Sequence, residues 1–135
     1  MFKRIWILAI VVALAAGAAL SAPETKRELD PAEIAKGKLA RQIFDQMIAR
    51  YRNGESYDID DLAFWSQRVL DADVAAAADA QQRRTACEAH MARTSEVERM
   101  AVSYFKTGQG RQADALTAEY YRLDAEMQLA RAKRK

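Results

Sequence analysis

Tyr51-Arg52-Asn53-Gly54 returns, 54 residues later, as Phe105-Lys106-Thr107-Gly108. The likeness runs past the quartet: Asp60 and Leu62 recur as Asp114 and Leu116, and Arg68 recurs as Arg122. In each copy an aromatic residue precedes a glycine, which accepts the left-handed backbone that closes a helix. A new helical stretch opens several residues later. Spacing of this kind marks a duplicated supersecondary unit and predicts helical hairpins.

The stretch before Gly54 carries a strong start signal. Asp30 can cap a helix, Pro31 suits its first position and Glu33 its third, which together make a capping box. Ile34, Ala40, Ile43, Phe44, Met47, Ile48 and Tyr51 then recur at helical spacing. Gly37 inside this run costs about 1 kcal/mol relative to alanine.

Beyond Gly54, Asp58 or Asp60 suits the start of a second helix. From there to Thr107 no glycine or proline interrupts the chain. Leu62, Val69, Ala76, Arg83, His90, Val97 and Tyr104 are spaced by sevens along it. The centre, Ala75-Ala76-Ala77-Ala78 through Gln81-Gln82-Arg83-Arg84, favours helix but lacks bulk, so it is the place for a bend rather than a forced break. Gly108 and Gly110 make the next turn. Ala113, Leu116, Tyr120, Leu123, Met127 and Ala130 follow alternating three- and four-residue steps, the seam of a last helix ending near Lys133.

These lengths predict an all-α fold of three helices, short, long and short. The outer two fold back on the two halves of the middle one as antiparallel, coiled-coil-like hairpins. A core so thin predicts self-association or docking on a partner.

The N-terminus reads as a different kind of segment. Lys3 and Arg4 precede Ile5–Ala22, which has no charged residue, and small residues gather near Ser21. Basic, then apolar, then small is the order of a secretory signal peptide, and Ala19-Leu20-Ser21 fits cleavage before Ala22. The expected organisation is a signal peptide over 1–21, a polar linker over 22–29 and a helical-hairpin domain over 30–135. The alternative is an uncleaved inner-membrane anchor over 5–22, about 27 Å long as a helix. Export places the domain in the periplasm or outside the cell. The formal charge is +2, and the two cations of residues 1–21 account for it. A neutral mature chain argues against nucleic acid as a partner.

Cys87, His90 and Met91 stand one turn apart on one helix face, a donor set that suits copper(I) or another thiophilic metal. Against this, the chain has one cysteine and one histidine in all. A packed seam is therefore the expectation, with no metal, cofactor or catalytic residue. Cys87 with His90 also lacks the loop and oxyanion features of a nucleophile–base pair. Asp58, Asp60 and Asp61 read as helix-start residues, and Gly108-Gln109-Gly110 is too short for a phosphate loop. Trp65 with Arg68, and Tyr120-Tyr121-Arg122, read as hairpin packing.

The segment from Tyr104-Phe105-Lys106-Thr107-Gly108 through Asp114, Leu116, Glu119, Arg122-Leu123, Ala125-Glu126, Leu129 and Ala130 resembles the α-hairpin repeat of TolC-like outer-membrane efflux proteins. Tyr51–Ala72 resembles it more loosely, with Trp65-Ser66-Gln67-Arg68 in place of an acidic helix surface. The resemblance covers about half the mature chain and lacks the family's barrel strands. It implies a periplasmic hairpin without catalytic residues, not an efflux conduit.

The functional expectation is an exported, non-enzymatic helical module that binds itself or another envelope helical protein, accessory to a TolC-like efflux assembly. The alternative is a periplasmic helical chaperone or metal-stress sensor.

Overall fold

The computed structural model describes residues 28–134. Four α-helices make up the fold: α1 (Pro31–Arg52), α2 (Ile59–Ala76), α3 (Ala80–Lys106) and α4 (Gln112–Lys133). Among the described residues there is no strand. The signal peptide or anchor, and most of the 22–29 linker, lie outside the described residues.

The all-α expectation and its two hairpins stand, but the count of three helices does not. The expected long middle helix is two helices, α2 and α3, broken at Ala77–Asp79. Ala77 is extended (φ −68°, ψ 126°) and Asp79 caps α3, accepting from Gln82 N. Gln82 reciprocates, its Oε1 accepting from Ala78 N at 2.7 Å. Asp-x-x-Gln is thus a second start signal, close to a capping box, inside a run that composition alone reads as continuous. No glycine or proline is needed to break a helix when a cap offers its exposed amides better partners.

Both glycine turns form as expected. Gly54 and Gly108 have φ of 85° and 76°. At each, the glycine N–H bonds the carbonyl of Tyr51 or Phe105, and the next amide reaches one residue further back, to Arg50 or Tyr104. Two identical Schellman closures therefore end α1 and α3. Gly110 serves the second turn differently. Its N–H bonds Tyr104 O, and a Cβ there would lie 3.0 Å from Tyr104 Cβ.

At the start of α1 the Asp30–Glu33 capping box is complete. Its buried face is Gly37, Ala40, Phe44, Ile48 and Tyr51, while Ile34 stays exposed. Gly37 is there for clearance, since a Cβ would sit 2.9 Å from Ala72 Cβ of α2. That contact and the Arg41–Asp73 ion pair at 2.6 Å hold α1 antiparallel to α2. The chain then doubles back at Ala77–Asp79, so that α3 runs antiparallel to α2 and α4 returns along α3. Burying Phe44, Ile48, Leu62 and Val69 stabilises the joint between hairpins by about 2 kcal/mol each. A second apolar cluster, Leu70, Ala86 and Cys87 with Leu129 and Ala132, closes the other end.

Candidate interaction surface

The last helix has two apolar sides of different size. Ala115, Ala118 and Ala125 are its buried residues, and the small methyls let α4 lie close along α3. The polar bonds on that side fix the rotation of the helix. Arg122 pairs with Glu98 at 2.8 Å, Tyr121 donates to Asp60 at 2.6 Å, and Gln128 donates to Gln67 at 3.2 Å. Asp60 in turn pushes the Tyr121 hydroxyl pKa up to about 12, because the hydrogen bond it accepts is available only from the neutral phenol.

The expected core seam is consequently on the outside. Leu116, Tyr120, Leu123 and Met127 are 57%, 67%, 45% and 52% exposed, and Ala113 and Ala130 extend the stripe at its ends. This corrects the reading of that seam as the packing face of the hairpin. The alanine side won because it permits the closer approach and carries the bonds to Glu98, Asp60 and Gln67. What remains is a straight stripe of large, exposed apolar side chains, where Tyr120 meets the edge of the Tyr121 ring on its own helix (centroids 5.4 Å apart), flanked by the exposed carboxylates of Glu119, Asp124 and Glu126.

The soft-donor set disperses into two environments. Cys87 packs with Leu70, Leu129 and Ala132, where burial, more than nearby Glu88, pushes its thiol pKa up and so disfavours the thiolate a metal would need. His90 turns instead to α2, where its Nδ1 lies 2.9 Å from Ser66 Oγ. Arg93 donates to the same Oγ at 3.1 Å and to the Ser66 carbonyl, with its guanidinium over the Phe44 ring. Ser66 and His90 are buried, so this polar knot ties α3 to α2 and, through Phe44, to α1. Burial first, then the charge of Arg93, lowers the His90 pKa to about 4. Met91 is half-buried beside them. No group of three or more His, Cys, Asp or Glu that could hold a metal occurs among the described residues. Sequence reasoning missed Ser66 and Arg93, which carry no motif and meet His90 only after the chain folds.

Comparison with family models, curated proteins and solved structures returned no match.

The remaining sequence candidates have local roles. Asp58 caps α2 by accepting from Asp60 N at 2.9 Å. Arg68 lies over Phe64, 4.7 Å from the ring centre, rather than over Trp65. A groove of about 560 Å³ opens where α2, α3 and α4 diverge, lined by Leu70, Val74, Arg83, Cys87, Gln128 and Ala132 among others. An internal void between Leu62, Ser66, Thr94 and Ala118 is about 10 Å³, hardly room for one water. No helix among the described residues is long and apolar enough to cross a membrane.

Proposed function

We propose that this chain is an exported, non-enzymatic protein-interaction module of the cell envelope, and that the outer face of α4 is its docking surface. One observation carries the reading: Leu116, Tyr120, Leu123 and Met127 form a bare stripe on a helix that is apolar on two sides. A helix of that kind is stable in water only at the cost of leaving one face for a partner. The carboxylates beside the middle of the stripe disfavour an anionic lipid surface there, the cations Arg131 and Lys133 lying only at its C-terminal end, and leave another helix as the fitting partner. The hairpin likeness to TolC-like proteins suggests an envelope assembly as the setting, as an accessory element.

The test is a photo-reactive benzophenone amino acid in place of Tyr120, irradiated in the native envelope. A discrete adduct heavier than the chain, absent when the label replaces exposed Gln81 on α3, is the expected result. Irradiation that yields no adduct from position 120 overturns the reading.

The concave groove beside Cys87 favours a second reading, a small periplasmic chaperone. That reading expects the purified chain to suppress aggregation of a denatured model substrate, and Val74→Asp at the groove to abolish the effect.

A further inference from the structure

We infer that the outer face of α4 is closed by the same face of a second copy of this chain, the two α4 helices lying antiparallel. This rests on the interaction-surface reading above and names its occupant.

The stripe is self-complementary. Ala113, Leu116, Tyr120, Leu123, Met127 and Ala130 read small, four times large, then small from either end. Turned end for end, Leu116 meets Met127 of the second copy and Tyr120 meets Leu123 of the second copy. Ala113 and Ala130 then close the ends. A two-fold contact needs one patch that fits itself, and among antiparallel registers a single one here fills every layer. No shift by a heptad keeps all four large residues in contact.

The internal repeat points the same way. Ile59, Leu62, Ser66 and Val69 of α2 are buried. Their counterparts 54 residues on are Ala113, Leu116, Tyr120 and Leu123, the bare stripe. In the first hairpin this face is covered by helices of the chain itself. A second copy would supply equivalent cover to α4.

The area is sufficient for a modest dimer. Two helices meeting over this stripe and its flanks remove on the order of 1,200 Å² in total from water, the lower edge of specific interfaces. Interfaces at that edge are the weak, transient ones, so dissociation in the micromolar range is the expectation. One flank opposes it mildly: Glu119 comes beside Glu126 of the second copy, a like-charge contact that weakens the pair about twofold at most, since Glu126 already holds Arg122 of its own helix at 2.9 Å.

The experiment uses the exported chain with Cys87→Ala and one new cysteine, either Leu116→Cys or Met127→Cys. In the antiparallel register the two positions face each other, while each lies about 16 Å from itself in the other copy. Mild oxidation of the mixed proteins should give a disulfide-linked species of twice the chain mass, and neither protein alone should. Self-linked species from each variant alone indicate a parallel pair and overturn the inference. So does the absence of any crosslink at ~100 μM protein, well above the expected dissociation constant. Light scattering of the unmodified chain checks the same point without cysteines. A dimer that Leu123→Glu converts to a monomer with unchanged helical circular dichroism is expected, and a monomeric unmodified chain refutes it. A Tyr120 photo-adduct of foreign mass alone would sink the second copy but leave the interaction surface standing.

Discussion

The first hairpin, α1–α2, and the second, α3–α4, close their turns with the same bonds and then bury opposite sides of their second helix. In α2 the buried line is Ile59, Leu62, Ser66 and Val69, whereas in α4 it is Ala115, Ala118 and Ala125. The α2 counterparts of those alanines, Asp61, Phe64 and Asp71, are all exposed. Turn chemistry is local and survives in both copies, because it needs only a glycine and the last helical carbonyls. The packing face is a tertiary outcome, decided by which side offers the closer fit. Where α2 buries its large aliphatic side and opposes it with Asp61, Phe64 and Asp71, α4 presents small residues on one side and large ones on the other. The second hairpin can thus join the fold through its small side and keep the large side free.

The sharpest way to break this comparison is to truncate equivalent leucines. Leu62→Ala removes a fully buried side chain between hairpins and should lower stability by about 3 kcal/mol. Leu116→Ala should cost under about 0.5 kcal/mol at protein concentrations too low for self-association. Urea unfolding of the two variants measures both. Equal losses would mean that the two second helices are packed alike.

Next in size is the polar knot, which exists only on the α2 side: Ser66 of α2 meets His90 and Arg93, while its counterpart on α4 is Tyr120. The folded His90 pKa, about 4, lies below the unfolded value near 6.5. Above pH 6.5 the ring is neutral in both states and stability is unaffected by it. As pH falls from 6.5 to 4 the unfolded chain takes up a proton that the folded chain resists. Stability therefore drops, by on the order of 3 kcal/mol, and the loss is complete below pH 4. Thermal melts across that window should show the decline, and His90→Gln should flatten it. A variant with the unaltered pH profile would place the sensitivity elsewhere.

The turns, the Asp30 cap and the helical class were legible because each depends on residues within one turn of the chain. The Ala77–Asp79 break was written just as locally, in Asp79 and Gln82, but an alanine run with no glycine or proline hid it. The repeat itself implied it, since a duplicated hairpin contains four helices. The outward rotation of α4 was not legible. Its heptad seam is the strongest apolar pattern on the helix, and pattern cannot say that alanines on the other side, with Tyr121, Arg122 and Gln128, make the better inner face. The knot of Ser66, His90 and Arg93 joins residues up to 27 positions apart by contacts that have no sequence signature.

A smaller effect probes the seam between the hairpins. Asp79→Ala removes the acceptor for Gln82 N and should cost about 1 kcal/mol, similar to Asp58→Ala at the start of α2. Chemical denaturation compares the two. A negligible loss at Asp79 would mean that the fold-back is imposed by packing of the hairpins rather than by the cap.

The finest distinction lies at Glu119, which stands where the first hairpin has the half-buried Trp65. Exposed on α4, Glu119 has little to do with folding, so Glu119→Lys should move stability by under about 0.5 kcal/mol. Its expected effect is on association. In the antiparallel register a lysine there faces Glu126 of the second copy, replacing a like-charge contact with an opposite one, and the dimer should tighten about two- to fourfold. The gain should fade as salt is raised from 50 to 500 mM, because the contact is at the rim and screened. Sedimentation equilibrium at the two ionic strengths reads both. An association constant indifferent to the charge of residue 119 would remove it from the flank of the contact, and with it the register that pairs Leu116 with Met127.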